Sequence, residues 1–323
     1  MLIKLYPEKY KQVSYRRSKL KNIDLHIHTI HSDGQHTVSE ILTQCEKIGL
    51  LSISITDHDS VNAYEELNNF KIRNLFSGII IPGIELSFNL DGRLFDVLGY
   101  DIDTLYMRDL LNNRMNEEKK KGMQNEILEE WKNICRIKGI KFDENLFIKN
   151  GTKSEAFNLL FTDISDFNKY PENERFAKYI SRDNRAAFYK KCFSNPDSEF
   201  FVNEAKYSPT LQEAIEIIHK CRGKAFLAHS FAYDLENPIE FINYAIKCGI
   251  DGIEKYYTTF TKEQSNIIEE ISNTNNLYIS GGSDFHGLAI KKQFILGNPT
   301  IDESIIFPWA NKYFKNINGG NDK

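Results

Sequence analysis

The sequence lacks most of the features that assign a chain to a class at a glance. Its five cysteines (Cys45, Cys135, Cys192, Cys221 and Cys248) are odd in number and form no Cys-x-x-Cys pair. That pattern points to reduced thiols, several of them in a core, in a cytosolic protein. The N-terminal stretch has no apolar segment of the signal-peptide kind. The longest mainly apolar run, residues 78–86, is far too short to cross a bilayer, so no membrane partner is expected. Basic residues are not in excess. The net charge is -4 and the pI about 6.1, which argues against binding to duplex nucleic acid or an anionic membrane. A local basic groove for a short or single strand stays open, because it would not show in the total. There is no internal repeat and no low-complexity tract.

What remains is an ordinary globular composition: 323 residues, 41% hydrophobic and 27% charged. The length suits two domains, or one large α/β domain with an insertion. Residues 1–21 read as a basic arm. The first strand, residues 23–28, places Asp24, His26 and His28 on one face. Thr37 and Glu40 form a capping box for a helix that ends at Gly49. Further strands are expected at 51–56, 79–85 and 94–100, with a short helix over 60–70.

After Asp103 the texture changes to long, polar, helical sequence, with one long helix expected from 107 to 138. The strand–helix rhythm returns near Ser208-Pro209, read as a helix start. Strands follow at 224–228, 251–254 and 277–280, with helices opened by Asn237-Pro238 and by the Thr261/Gln264 box, and a last helix over 302–316. Alternating strands and helices predict parallel βα units closing as a barrel. The expected organisation is an arm (1–21), a barrel (22–103 and 208–300), a helical insertion (104–207), and a C-terminal helix and tail (301–323).

The chemistry collects at the expected strand ends. His26, His28, His58, Glu85, Asp96, His229, Glu254, Asp284 and His286 all lie in or just after a strand. In a parallel barrel these positions open onto one rim. Imidazoles and carboxylates are the ligands of Zn²⁺, Mn²⁺ and Fe²⁺. So many carboxylates in one pocket need cations to relieve their repulsion, and their number implies more than one ion. Clustered metals activate water and neutralise charge on a phosphoryl group, so phosphoester hydrolysis is the chemistry that fits. His31, His36 and His219 read as surface or packing histidines.

These residues resemble the polymerase and histidinol phosphatase (PHP) family. The matching pieces are Asp24-Leu25-His26-Ile27-His28-Thr29, Ser32-Asp33-Gly34, Ile55-Thr56-Asp57-His58-Asp59, Gly83-Ile84-Glu85, Val97-Leu98-Gly99-Tyr100, Leu227-Ala228-His229, Gly252-Ile253-Glu254 and Gly282-Ser283-Asp284-Phe285-His286-Gly287, in the family's order. The wording is most similar to stand-alone phosphoesterases of nucleotides and short RNA. The resemblance implies an α/β fold, a distorted (βα)₇ TIM-like barrel with a helical insertion. It implies that His26, His28, Glu85 and Asp284 hold one ion, that Glu85 bridges to a second held by His229, and that Asp33, His58 and His286 hold a third. It further implies catalytic roles for Glu85, Asp284 and His58 around a metal-bound hydroxide.

The chain departs from the family pattern twice. Asp96 stands where the family has histidine, so it is an altered candidate ligand. Gly151-Thr152-Lys153-Ser154 stands where an Arg-Pro-His-like motif is usual, leaving Lys153, Arg185 and Lys206 as candidate phosphate contacts. The expected partner is a small phosphorylated molecule or short oligonucleotide. The alternatives are a histidinol-phosphate-type phosphomonoesterase and a catalytically weakened metal-dependent binding module. The oligomeric state is not legible.

Overall fold

A computed structural model describes residues 23–114, 116–301, 305 and 307–318; the expected N-terminal arm lies outside them. Among the described residues there are eight strands: β1 (Ile23–Ile27), β2 (Ser52–Ile55), β3 (Ile79–Ile80), β4 (Gly83–Leu90), β5 (Arg93–Tyr100), β6 (Lys224–Leu227), β7 (Gly252–Tyr257) and β8 (Tyr278–Gly282). They form two sheets, a parallel one in the order β1-β2-β3 and a mixed one in the order β4-β5-β6-β7-β8.

The expected closed (βα)₇ barrel is therefore not what the chain forms. The sheets approach at two seams, each carrying one isolated parallel bridge, Ile27 to Phe285 and His58 to Glu85. The second departure is β5, which runs antiparallel to both β4 and β6. The cause is local. Asp91 and Gly92 both have positive φ, 52° and 81°, the conformation of a tight hairpin, and Asp-Gly is the sequence that adopts it most readily.

The helices follow local chemistry. Val38–Ile48 and Lys262–Thr274 start at the expected capping boxes, Thr37/Glu40 and Thr261/Gln264. Pro238–Cys248 starts at Asn237. The helix expected at Ser208-Pro209 starts later, at Leu211, because Thr210 and Glu213 form a complete box there. The long helix expected over 107–138 is two helices, Thr104–Arg114 and Glu117–Lys138, the second capped by Asn116. The short helix over 60–70 is instead two single turns, Ala63–Glu66 and Phe70–Arg73. The last helix is Phe307–Asn318.

The helical segment between β5 and β6 has a core of its own, built around Trp131, Phe157, Phe161, Phe188 and Phe193. The strands pack through separate apolar clusters. No helix among the described residues is long and apolar enough to cross a membrane.

The β1–β8 seam depends on close backbone approach. A Cβ at Gly282 would lie 2.4 Å from both the N and Cβ of His26. Gly282→Ala is expected to cost about 1–3 kcal/mol through overpacking. It should lower the urea midpoint at unchanged m-value, and an unchanged midpoint would contradict this packing account.

Candidate metal centre

The seams carry the polar residues. Asp59 N donates to Glu85 O at 2.8 Å across one, and His28 N donates to Phe285 O at 2.9 Å across the other. Glu85 is not at a strand end, as expected, but is the third residue of β4. The offset of β4 nevertheless brings it level with His58, beyond the end of β2. Likewise Glu254 is the third residue of β7, which continues to Tyr257.

Around Glu85 the side chains are spaced as ligands would be. His26 Nε2 lies 3.1 Å from Glu85 Oε2 and 3.5 Å from Asp284 Oδ1, and His28 Nε2 lies 3.2 Å from each of the same two oxygens. Metal–ligand bonds of about 2.0–2.2 Å at tetrahedral or octahedral angles put neighbouring donors about 3.0–3.5 Å apart. The four residues thus outline a polyhedron of the right size.

A second group joins His28, Asp33, His58 and His286, and a third joins His58, Glu85 and Asp96. His286 Nε2 is 3.2 Å from Asp33 Oδ1, and His58 Nδ1 is 3.4 Å from Glu85 Oε2. His229 reaches the other oxygen of Glu85, Nε2 to Oε1, at 2.9 Å. Among the described residues, His28 Nε2, His58 Nδ1 and His286 Nε2 are buried without a hydrogen-bond partner. Orphaned imidazole nitrogens gathered in one cluster are what divalent cations would satisfy.

Charge in the cluster is strongly coupled. Burial opposes protonation of His26, but the Glu85, Glu254 and Asp284 carboxylates overcome it and hold its pKa well above the usual value. Burial likewise opposes charge on His28, while Asp284 and Glu85 push it up to about 9. His229 is raised by Glu85 against its own burial. Glu85 is itself held well below the carboxylate range, since His26, His58 and His229 outweigh its burial. Without cations, protons on His26, His28 and His229 balance the carboxylates, while burial and neighbouring positive charge hold His58 and His286 below the usual value.

Several contacts were not legible in the sequence. Glu254 is fully buried and accepts from His229 N at 2.8 Å, while its other oxygen lies 2.9 Å from His26 Nδ1. That contact turns His26 Nε2 towards Glu85, the usual second-layer support of a ligand histidine. Tyr257 OH and Lys291 Nζ each donate to Asp284 Oδ2 at 2.8 Å. Asp96 Oδ1 accepts from Ser87 Oγ at 2.8 Å, and Oδ2 from Tyr233 OH at 3.1 Å.

Asp24 shares β1 with the ligands but accepts backbone N–H groups of Ser283 and Gly297, tying β1 to the loop after β8. Asp57 accepts from Thr29 and Ser32 and fixes the loop that presents Asp33. His31 pairs with Glu66 and His219 with Asp251, while His36 stacks on Phe285.

The three candidate phosphate contacts separate. Lys153 enters from the helical segment, and its Nζ donates to Ser87 Oγ at 3.2 Å. Burial disfavours its charge, but Asp59, Asp96, Asp33 and Glu85 more than compensate and raise its pKa. Arg185 donates to Asn158, and Lys206 to Glu130 at 3.1 Å. Among the described residues neither hydrogen-bonds nor ion-pairs with the cluster.

Two outcomes follow. Metal ligation requires neutral imidazoles, and the raised pKa values leave several histidines protonated near pH 7, so loading a divalent ion should release protons. Affinity should then rise with pH towards about 9, where His28 loses its proton. Calorimetry in buffers of different ionisation enthalpy measures the release, and a buffer-independent heat would contradict it. Glu254→Gln should weaken metal binding by about 10- to 100-fold while leaving the folded structure intact by circular dichroism. Unchanged affinity would remove its orienting role.

The chain is similar to a 5'-3' exoribonuclease of Haemophilus influenzae, with 26% identity over 277 residues, covering 82% of this chain and 90% of that protein. It is also similar to the 5'-3' exoribonuclease Rnm of Salmonella typhimurium, with 24% identity, 81% of this chain and 84% of the relative. A phosphoribosyl 1,2-cyclic phosphate 1,2-diphosphodiesterase of Eggerthella lenta matches at 23% over 82% of this chain and 94% of its own. Among solved structures, an amidohydrolase from Chromobacterium violaceum superposes with a TM-score of 0.63 at 19% identity, over 90% of this chain and 96% of that one. A candidate metal-dependent phosphoesterase from Bifidobacterium adolescentis does so with a TM-score of 0.59 at 18% identity, over 89% and 95%. These structural likenesses are of fold alone. A PHP domain family model matches residues 24–316, and the chain belongs to the PHP domain family.

Proposed function

We propose that this chain hydrolyses a phosphoester of a nucleotide or short oligonucleotide, using two or three divalent ions held by its His/carboxylate cluster. At the coarser level the chain is a PHP-family phosphoesterase, a hydrolase of phosphoester bonds. The observation that carries the finer reading is the donor spacing around Glu85, with unpartnered histidine nitrogens buried in the same cluster. The relatives named as exoribonucleases support a nucleotide-type substrate, and the cyclic-phosphate diphosphodiesterase supports a diester.

In this reading His26, His28, Glu85 and Asp284 would hold one ion, His229 together with Glu85 would hold a second, and Asp33, His58 and His286 would hold a third. Asp96, fixed by Ser87 and Tyr233, borders the second position as an anionic neighbour. Bound divalent ions would supply Lewis acidity and water activated near neutral pH.

The chain's own groups orient the rest. Glu254 aims His26, and Tyr257 and Lys291 hold Asp284 by one oxygen so that the other faces the histidines. Lys153 brings a positive charge from the helical segment to the edge of the cluster, where a substrate phosphoryl oxygen would sit.

The test is turnover of a panel of phosphomonoesters and phosphodiesters, including short single-stranded RNA, with Mn²⁺, Fe²⁺ or Zn²⁺. Turnover that is abolished by Glu85→Gln and by chelation is expected. Wild-type activity no higher than that of Glu85→Gln on every substrate would refute the proposal. A monoester-only profile would redirect it to a histidinol-phosphate-type phosphatase. Lys153→Ala should lower kcat/KM by about 10- to 100-fold, the usual loss for a hydrogen bond to a charged group. An unchanged kcat/KM would remove Lys153 from substrate binding.

A further inference from the structure

The chain is acidic overall, with a net charge of -4, yet residues 175–191 contain six basic residues and one acidic residue. All six, Arg175, Lys178, Arg182, Arg185, Lys190 and Lys191, are exposed. The apolar residues of the same stretch turn the other way: Ile180 and Phe188 are buried in the core of the helical segment. The segment is therefore amphipathic, with its cationic side in water. The acids next to it in the sequence are Glu172, Glu174 and Asp183, all exposed. Arg182 lies 3.6 Å from Asp166, while Arg175 and Arg185 donate to neutral oxygens of Gly139 and Asn158. Tyr179 is 44% exposed beside Lys178, and offers an apolar ring within the basic strip.

The strip is connected to the metal centre. Arg185 donates to Asn158, and Asn158 N donates to Ser154 O at 2.9 Å, in the first turn of the helix that begins at Glu155. Lys153, one residue before Ser154, reaches Ser87 at the edge of the cluster. That turn is held firmly. Glu155 accepts the backbone N–H groups of Lys149, Asn150, Gly151 and Thr152, which fixes the loop carrying Lys153. Arg185 of the strip and Lys153 at the cluster are thus both tied to the start of the same helix, Glu155–Ile164.

We infer that this strip binds the trailing phosphates of a single-stranded oligonucleotide whose reacting phosphoester lies at the metals. The inference rests on the nucleotide reading above and extends it from one phosphate to several. Regularly charged single strands are the polyanions that spaced lysines and arginines match, and an exposed tyrosine between them can stack on a base. The overall acidity disfavours a duplex, which would present a second charged strand to the rest of the surface.

The test compares wild type with a fourfold charge reversal, Lys178→Glu, Arg182→Glu, Lys190→Glu and Lys191→Glu, all at exposed positions away from the cluster. Binding of a fluorescently labelled 12-nucleotide RNA is followed by anisotropy in EDTA, so that the readout does not depend on activity. We expect at least a tenfold loss of affinity in the variant. The dependence of log affinity on log salt should become shallower by about 2–3, since each phosphate contact in a single strand contributes about 0.7. The thermal midpoint and turnover of a dinucleotide should be unchanged. Equal binding by wild type and variant would overturn the inference, as would a duplex or polyglutamate binding as tightly as the single strand. Absence of any turnover by wild type would instead overturn the nucleotide hydrolase reading, and the binding measurement distinguishes the two failures.

Discussion

The structure is organised around a buried carboxylate. Glu85 is fully excluded from solvent, and its two oxygens meet His26, His28, His58 and His229. A charge in that position is costly unless other charges surround it. Four imidazoles and a neighbouring Asp284 form an arrangement that needs protons or metal ions to be neutral. The strands meet that requirement by bringing distant parts of the chain together where two sheets abut rather than merge. A continuous hydrogen-bonded barrel would have filled those seams with ladder contacts. Here each seam carries a single bridge and leaves room for side chains to face one another.

The surrounding contacts hold the cluster. Asp57 and Asp24, neighbours in sequence of the cluster residues, serve as backbone anchors, one for the loop carrying Asp33 and the other for the loop after β8. Glu254 and Tyr257, on β7, each hold one cluster residue from behind, His26 and Asp284 respectively. The helical segment contributes Lys153 from a loop that Glu155 locks in place, so a positive group enters an otherwise acidic cavity. Lys153 thus comes from a segment with its own hydrophobic core, while the His/carboxylate cluster is carried by the strands and the loops that follow them.

What was legible in the sequence was local or periodic. The boxes at Thr37 and Thr261 fix helix starts through contacts three residues apart, and those helices begin where expected. The alternation of β1 and the family motifs pointed to His26 and His28, which the structure brings together with Glu85 and Asp284. Other local signals were present but lost to a stronger expectation. Asp91-Gly92 is a hairpin sequence, yet the strand–helix rhythm suggested parallel strands throughout. Thr210 and Glu213 form a better cap than Ser208-Pro209. The remaining features have no local signal. Whether two sheets close into one barrel depends on contacts such as Ile27 with Phe285, more than two hundred residues apart. The Glu254–His26 and Lys291–Asp284 contacts likewise follow from strand offsets and loop paths that no short stretch encodes.

The central claim is that the cluster around Glu85 is a polynuclear metal site. Anomalous diffraction from crystals grown with Mn²⁺ addresses it most directly. The account predicts one peak bounded by His26, His28, Glu85 and Asp284, and at least one more sharing Glu85 or bounded by Asp33, His58 and His286. A well-ordered Glu85 with no anomalous peak within bonding distance of its carboxylate would contradict it.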